Sequence, residues 1–76
     1  MNYEPNAVDW KVGDLVIHDA DAKDSRMLMR VVGYDEHGLV KTRYIRHPYS
    51  GMSSIFHNDS KYLHDPARFG INAGGE

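Results

Sequence analysis

The chain predicts an all-β domain of four or five short strands, with short helical turns near the C-terminus, and three observations carry that expectation. Apolar residues arrive in short runs rich in β-branched side chains, and no stretch at helical spacing is long enough for an ordinary helix. Glycine or proline punctuates the junctions between those runs, at Gly13, Gly38, Pro48 and Gly51. The chain has 76 residues and no cysteine, so one small hydrophobic core must hold it without a disulfide or a thiolate-bound metal.

In order along the chain, Leu15-Val16-Ile17 follows Gly13-Asp14 and reads as a first strand. A second covers Met27 to Tyr34, with Val31 and Val32 favouring extended backbone. A third covers Leu39 to Arg46, and Asp35-Glu36-His37-Gly38 between the two has the length and the glycine of a hairpin connection. His47-Pro48-Tyr49-Ser50-Gly51 is a turn, and Ser53 to His57 a short fourth strand. Beyond it, Asn58 or Asp59 is placed to cap a helical turn through Leu63, and Asp65-Pro66 to start another. Both turns are too short to stand alone, so Leu63, Phe69 and Ile71 are expected to dock on the sheet. No repeat or linker divides the chain, which reads as a single domain ordered over about 8–71, with flexible ends at 1–7 and 72–76.

Strand alternation separates two faces. Met27, Met29 and Val31 with Val40, Thr42 and Tyr44 form an almost wholly apolar set that should face the core. The opposite set mixes Leu28, Val32, Leu39 and Ile45 with Arg30, Lys41 and Arg43. A sheet face open to water should alternate more cleanly, so something is expected to cover part of it. The candidates are the terminal segments, through Tyr3, Val8 and Trp10 or Phe69 and Ile71, and failing those a second copy or a protein partner. With Arg46 added, this outer face is the candidate partner-binding surface.

The net charge of −2 averages over unlike segments. Residues 1–24 set Glu4, Asp9, Asp14, Asp19, Asp21 and Asp24 against Lys11 and Lys23, whereas residues 25–47 set Arg26, Arg30, Lys41, Arg43 and Arg46 against Asp35 and Glu36. An acidic chain argues against a nonspecific nucleic-acid binder but leaves room for a local basic strip. Hydrophobic residues at 41 % and charged residues at 26 % describe a globular chain rather than a disordered one. The longest apolar runs are far too short for a membrane span, and the N-terminus lacks the basic start and apolar stretch of a signal peptide. A cytoplasmic location is expected.

Four constellations bear on chemistry. Arg43-Tyr44-Ile45-Arg46-His47-Pro48-Tyr49 interleaves cations with rings, as single-strand binders do, although alternation turns Tyr44 inward. Asp19, Asp21 and Asp24 form an acidic loop that fails as a calcium site. An EF-hand register from Asp19 puts Lys23 at a ligand position, Asp24 at the obligatory glycine and Arg30 where the bidentate glutamate belongs. That loop reads instead as solvated, or as an acidic contact surface. The five histidines, His18, His37, His47, His57 and His64, include no i, i+4 pair for a helical zinc site, so no metal and no cofactor are expected. Gly51-Met52-Ser53-Ser54 lacks the closing glycine of a nucleophile elbow, and a domain this small has little room to enclose a substrate pocket. Catalysis is not expected.

Gly13-Asp14-Leu15-Val16, then Met29-Arg30-Val31-Val32-Gly33-Tyr34, the glycine-containing hairpin into Val40-Lys41-Thr42-Arg43-Tyr44, and Phe56-His57 leading to Leu63 resemble the YodC-like family of short bacterial and phage proteins. The resemblance covers residues 12–64 and implies a small SH3-like β-barrel of the Tudor or KOW type, with no activity attached. The chain differs in its longer acidic first loop and in its tail, Asp65 to Ile71. The functional expectation is a non-enzymatic binding module of bacterial or phage origin, an accessory or inhibitor protein that contacts a protein partner or a second copy of itself. RNA or single-stranded DNA on the basic face, and a structural role in a virion or larger assembly, are the alternatives. Neither a membrane nor a small-molecule substrate is expected.

Overall fold

The computed structural model describes residues 6–71; of the ends read as flexible at 1–7 and 72–76, residues 1–5 and 72–76 lie outside the described residues. Five strands, β1 (Leu15–His18), β2 (Met29–Tyr34), β3 (Val40–Tyr44), β4 (Ser53–Phe56) and β5 (Leu63–His64), form one antiparallel sheet in the order β4-β3-β2-β1-β5. Every sequential neighbour from β1 to β4 pairs, and the chain then returns to place β5 on the free side of β1. The all-β expectation holds. Single 3-10 turns, at Asp19–Asp21, Ser25–Met27 and Pro66–Phe69, are the helical structure among the described residues.

The core follows from alternation. Val16 faces Met29 across β1 and β2, Val31 faces Thr42 across β2 and β3, and Val40 faces Phe56 across β3 and β4. Val16, Met29, Val31, Val40 and Leu63 make one buried cluster, with Trp10, Tyr44 and Phe56 packed against it. Thr42 is the polar member of that layer, and its hydroxyl reaches Ser54 O and Met29 Sδ, both at 3.2 Å. The β2–β3 register shifts between Val31 and Gly33, so Val32 is the extra residue of a β-bulge and Tyr34 falls opposite Val40.

Several boundaries differ from expectation for local reasons. The second strand begins at Met29 rather than Met27, because Asp24 accepts from the Arg26 amide and caps the turn Ser25–Met27. Leu39 belongs to the hairpin turn, where Asp35 Oδ1 accepts from the His37 and Leu39 amides. The helical turn expected through Leu63 is a tight turn instead, closed by Tyr62 N to Asp59 O at 2.9 Å. It delivers Leu63 and His64 as the fifth strand, opposite His18 and Ile17. The second expected turn forms as read: Asp65 accepts from the Ala67 amide, Pro66 opens the turn and Gly70 ends it in a left-handed conformation.

Among the described residues the terminal segments cover the outer face only at β1, through the turn Pro66–Phe69, and leave Val32, Lys41 and Arg43 open. Asn58 clamps Val8 through two hydrogen bonds, and Ser60 N donates to Asn6 O, so the described N-terminal segment is tied to the loop before β5. Trp10 goes to the core cluster, and its carbonyl accepts from the Tyr34 hydroxyl. Tyr3 lies outside the described residues. The turn Pro66–Phe69 packs on β1. Val16 and Ile17, consecutive in β1, are both fully buried, so that strand is covered on both faces.

Candidate interaction surface

Register defines what the open part of the outer face carries. Arg30 lies opposite Arg43, Gly33 opposite Lys41, Lys41 opposite Ile55 and Arg43 opposite Ser53. Directly opposed residues share a face, so Arg30, Lys41, Arg43, Ser53 and Ile55 stand together, with Val32 beside them at the bulge. Val32 keeps 38 % of its surface exposed and Ile55 keeps 53 %. Lys41 and Arg43 are exposed and have no ion-pair partner among the described residues. Arg30 is half-buried, and its guanidinium donates to Gly13 O at 3.0 Å. The result is a shallow aliphatic strip between cations, on a chain that is acidic as a whole.

Four other residues assigned to this face sit elsewhere. Leu28 is fully buried, because the turn Ser25–Met27 ends on it and lifts it out of the exposed alternation. Leu39 and Ile45 flank β3 outside the strand, half-buried, with Ile45 N donating to Leu28 O. Arg46 is half-buried, and its guanidinium donates to Ser25 O at 3.2 Å. The face is therefore smaller than alternation implied, and Ile55 and Ser53 from β4 complete it. Continuing the alternation of β3 across its turn into β4 would have found them.

The acidic loop is largely occupied with its own structure. Asp24 holds Arg26 through two contacts, Oδ1 to Nε at 3.0 Å and Oδ2 to the terminal nitrogen at 2.9 Å. The Arg26 side-chain bond, and then its amide, hold the Asp24 carboxyl below the usual range. Asp19 turns toward His64, whose Nε2 stands 3.2 Å from Asp19 Oδ1 without the alignment of a hydrogen bond. Asp21 is half-buried.

The histidines separate into surface groups and one buried link. His18 caps the turn Asp19–Asp21 by accepting from the Ala20 amide, and its ring meets Phe56 and Tyr62. His37 and His47 are exposed. His64 is only 6 % exposed, with Nδ1 3.0 Å from an Arg68 guanidinium nitrogen and the ring edge-on to Phe69. The Asp65-Pro66 that follows it is the sequence signal that the chain folds back there. No three histidine or carboxylate side chains converge among the described residues.

Neither tyrosine of the basic-aromatic segment stands on the open face. Tyr44 packs on the core, Tyr49 lies 6.0 Å from it ring to ring, and the Arg26 guanidinium sits 6.0 Å from the Tyr49 centroid. Open clefts lie elsewhere on the surface. An open cleft of about 530 Å³ lies between Trp10, Asp14 and Leu15 and the segment Asp65–Ile71. It forms between packed segments at the surface, so the core is not hollowed. Among the described residues no helix is long and apolar enough to cross a membrane.

No family model, no curated protein and no solved structure matches this chain.

Proposed function

We propose that this chain is a non-enzymatic binding module, built as a small SH3-like barrel of YodC-like type, that docks an acidic segment of a partner protein on its outer sheet face. The strand order, with β5 returning to β1, supports the barrel reading. One observation carries the function. Lys41 and Arg43 stand without ion-pair partners among the described residues, on the same open face as Val32 and Ile55. Unneutralised cations around aliphatic surface complement carboxylates spaced by apolar residues, and such charge pairing sets register and speeds encounter.

Two features favour a protein over nucleic acid or a second copy. Base stacking needs exposed rings, and this face offers aliphatic side chains instead. Two copies meeting through the same face would oppose like charges. Fluorescence anisotropy with a labelled peptide alternating glutamate and valine, and with a uridine oligomer of equal charge, tests the reading. The peptide should bind, weaken as salt rises, and be lost with Lys41→Glu and Arg43→Glu together. Binding of the oligomer alone would overturn the proposal in favour of nucleic acid.

A further inference from the structure

The strand order leaves two sheet edges, and they are unlike. β5 is two residues long and runs directly into the turn Pro66–Phe69. β4 is four residues, Ser53-Ser54-Ile55-Phe56, paired by β3 on one side and by no described strand on the other. The ladder phase shows which of its backbone groups are free. Tyr44 N donates to Met52 O at 2.8 Å, which makes Tyr44 and Met52 a hydrogen-bonded position. Hydrogen-bonded positions recur every second residue, so Ser54 and Phe56 bond β3, and Ser53 and Ile55 direct N–H and C=O to the open edge. Natural edges are normally blunted by charge, proline or a bulge within the strand. Ser53 to Phe56 contains no charge and no proline. Met52 and Ile55 beside the edge are 57 % and 53 % exposed.

We infer that β4 is the pairing edge of this molecule, and that its occupant is an extended acidic segment added as a sixth strand. The inference rests on the docking reading above and specifies its geometry. Side chains of the added strand opposite Ser53 and Ile55 fall on the outer face, the face of Arg43 and Lys41. Serine at 53 leaves the long Arg43 side chain a low path across β4 toward the newcomer. The residue opposite Ser53 should therefore be acidic, and the one opposite Ile55, two positions away, aliphatic. Main-chain bonds supply the attachment and these two positions the selectivity, as in strand addition generally.

The test uses the full chain and the same glutamate–valine peptide. Amide hydrogen exchange by NMR should slow at Ser53 and Ile55 when the peptide is bound. Ile55→Pro removes an N–H that the internal ladder does not use, which edge strands tolerate. It should weaken the peptide about tenfold, the worth of one main-chain hydrogen bond, with the rest of the amide spectrum unchanged. Unchanged exchange at both residues in a peptide complex that charge reversal still abolishes would overturn the edge geometry and leave the docking reading standing. No binding by the wild-type chain at low salt would overturn both. A dimer in light scattering that Ile55→Pro returns to monomer would show the edge occupied by a second copy, and that too overturns the acidic-segment assignment. The exchange measurement needs no variant, so it decides even if Ile55→Pro fails to fold.

Discussion

Asp24 accepts from the Arg26 amide and grips the same residue's guanidinium, which closes the turn Ser25–Met27 one residue short of β2. Leu28 is the residue on which that turn ends, and it is fully buried although simple alternation would set it beside Arg30. Leu28→Ala should therefore cost about 2–5 kcal/mol in urea unfolding, as buried leucines do, where an exposed leucine would cost almost nothing. His64 shows the same local control. Arginine can only donate, so the Arg68 contact requires a lone pair on His64 Nδ1 and leaves Nε2 facing Asp19. The ring thus ties the tail turn Pro66–Phe69 to β5. The sequence marks Asp59 and Asp65 as caps but shows Asp24 only as part of an acidic loop, because whether its cap or the apolar run Met27-Leu28-Met29 wins depends on bonds that form only in three dimensions.

The hairpin between β2 and β3 was the most legible element, and its physics is contained in five residues. Gly38 sits at φ +81° and closes a turn whose other requirement is Asp35, with Oδ1 accepting from the His37 and Leu39 amides at 2.8 Å each. Desolvation pushes the Asp35 carboxyl up. The amide bonds from Leu39 and His37 outweigh it, and nearby positive charge at His37 and Lys41 adds to them, so the group lies below its ordinary value of 3.8. A carboxyl with a depressed folded-state pKa contributes stability above its unfolded value and loses it as pH falls through the folded one. The melting temperature of Asp35→Ala should sit below that of wild type at about pH 6, with the gap narrowing as pH drops below the ordinary carboxyl range. A gap independent of pH would show that the carboxylate is not what holds the turn. β5 is the opposite case. Two residues carry no periodicity, and Leu63-His64 becomes a strand only because Ile17 and His18 offer an unpaired edge.

At the scale of the whole molecule, the sheet opposes Arg30 and Arg43 directly across β2 and β3 and leaves Lys41 beside them on the open face. Like charges facing one another across strands destabilise a sheet, so this arrangement costs the free protein something. A face that merely stayed wet would be better served by mixed signs, with which the same strands could form cross-strand pairs. Arg43→Glu converts the repulsive pair into an attractive one and should raise the stability of the isolated chain by about 0.2–1 kcal/mol. The same change removes a cation from the proposed docking surface. It should therefore abolish or sharply weaken the acidic peptide while the melting temperature rises. Thermal unfolding and anisotropy on one preparation measure both quantities. A variant that gains stability and keeps its affinity would mean that the basic face is only a solvated surface, whereas the opposed changes follow only if stability is withheld from this face because a partner completes it.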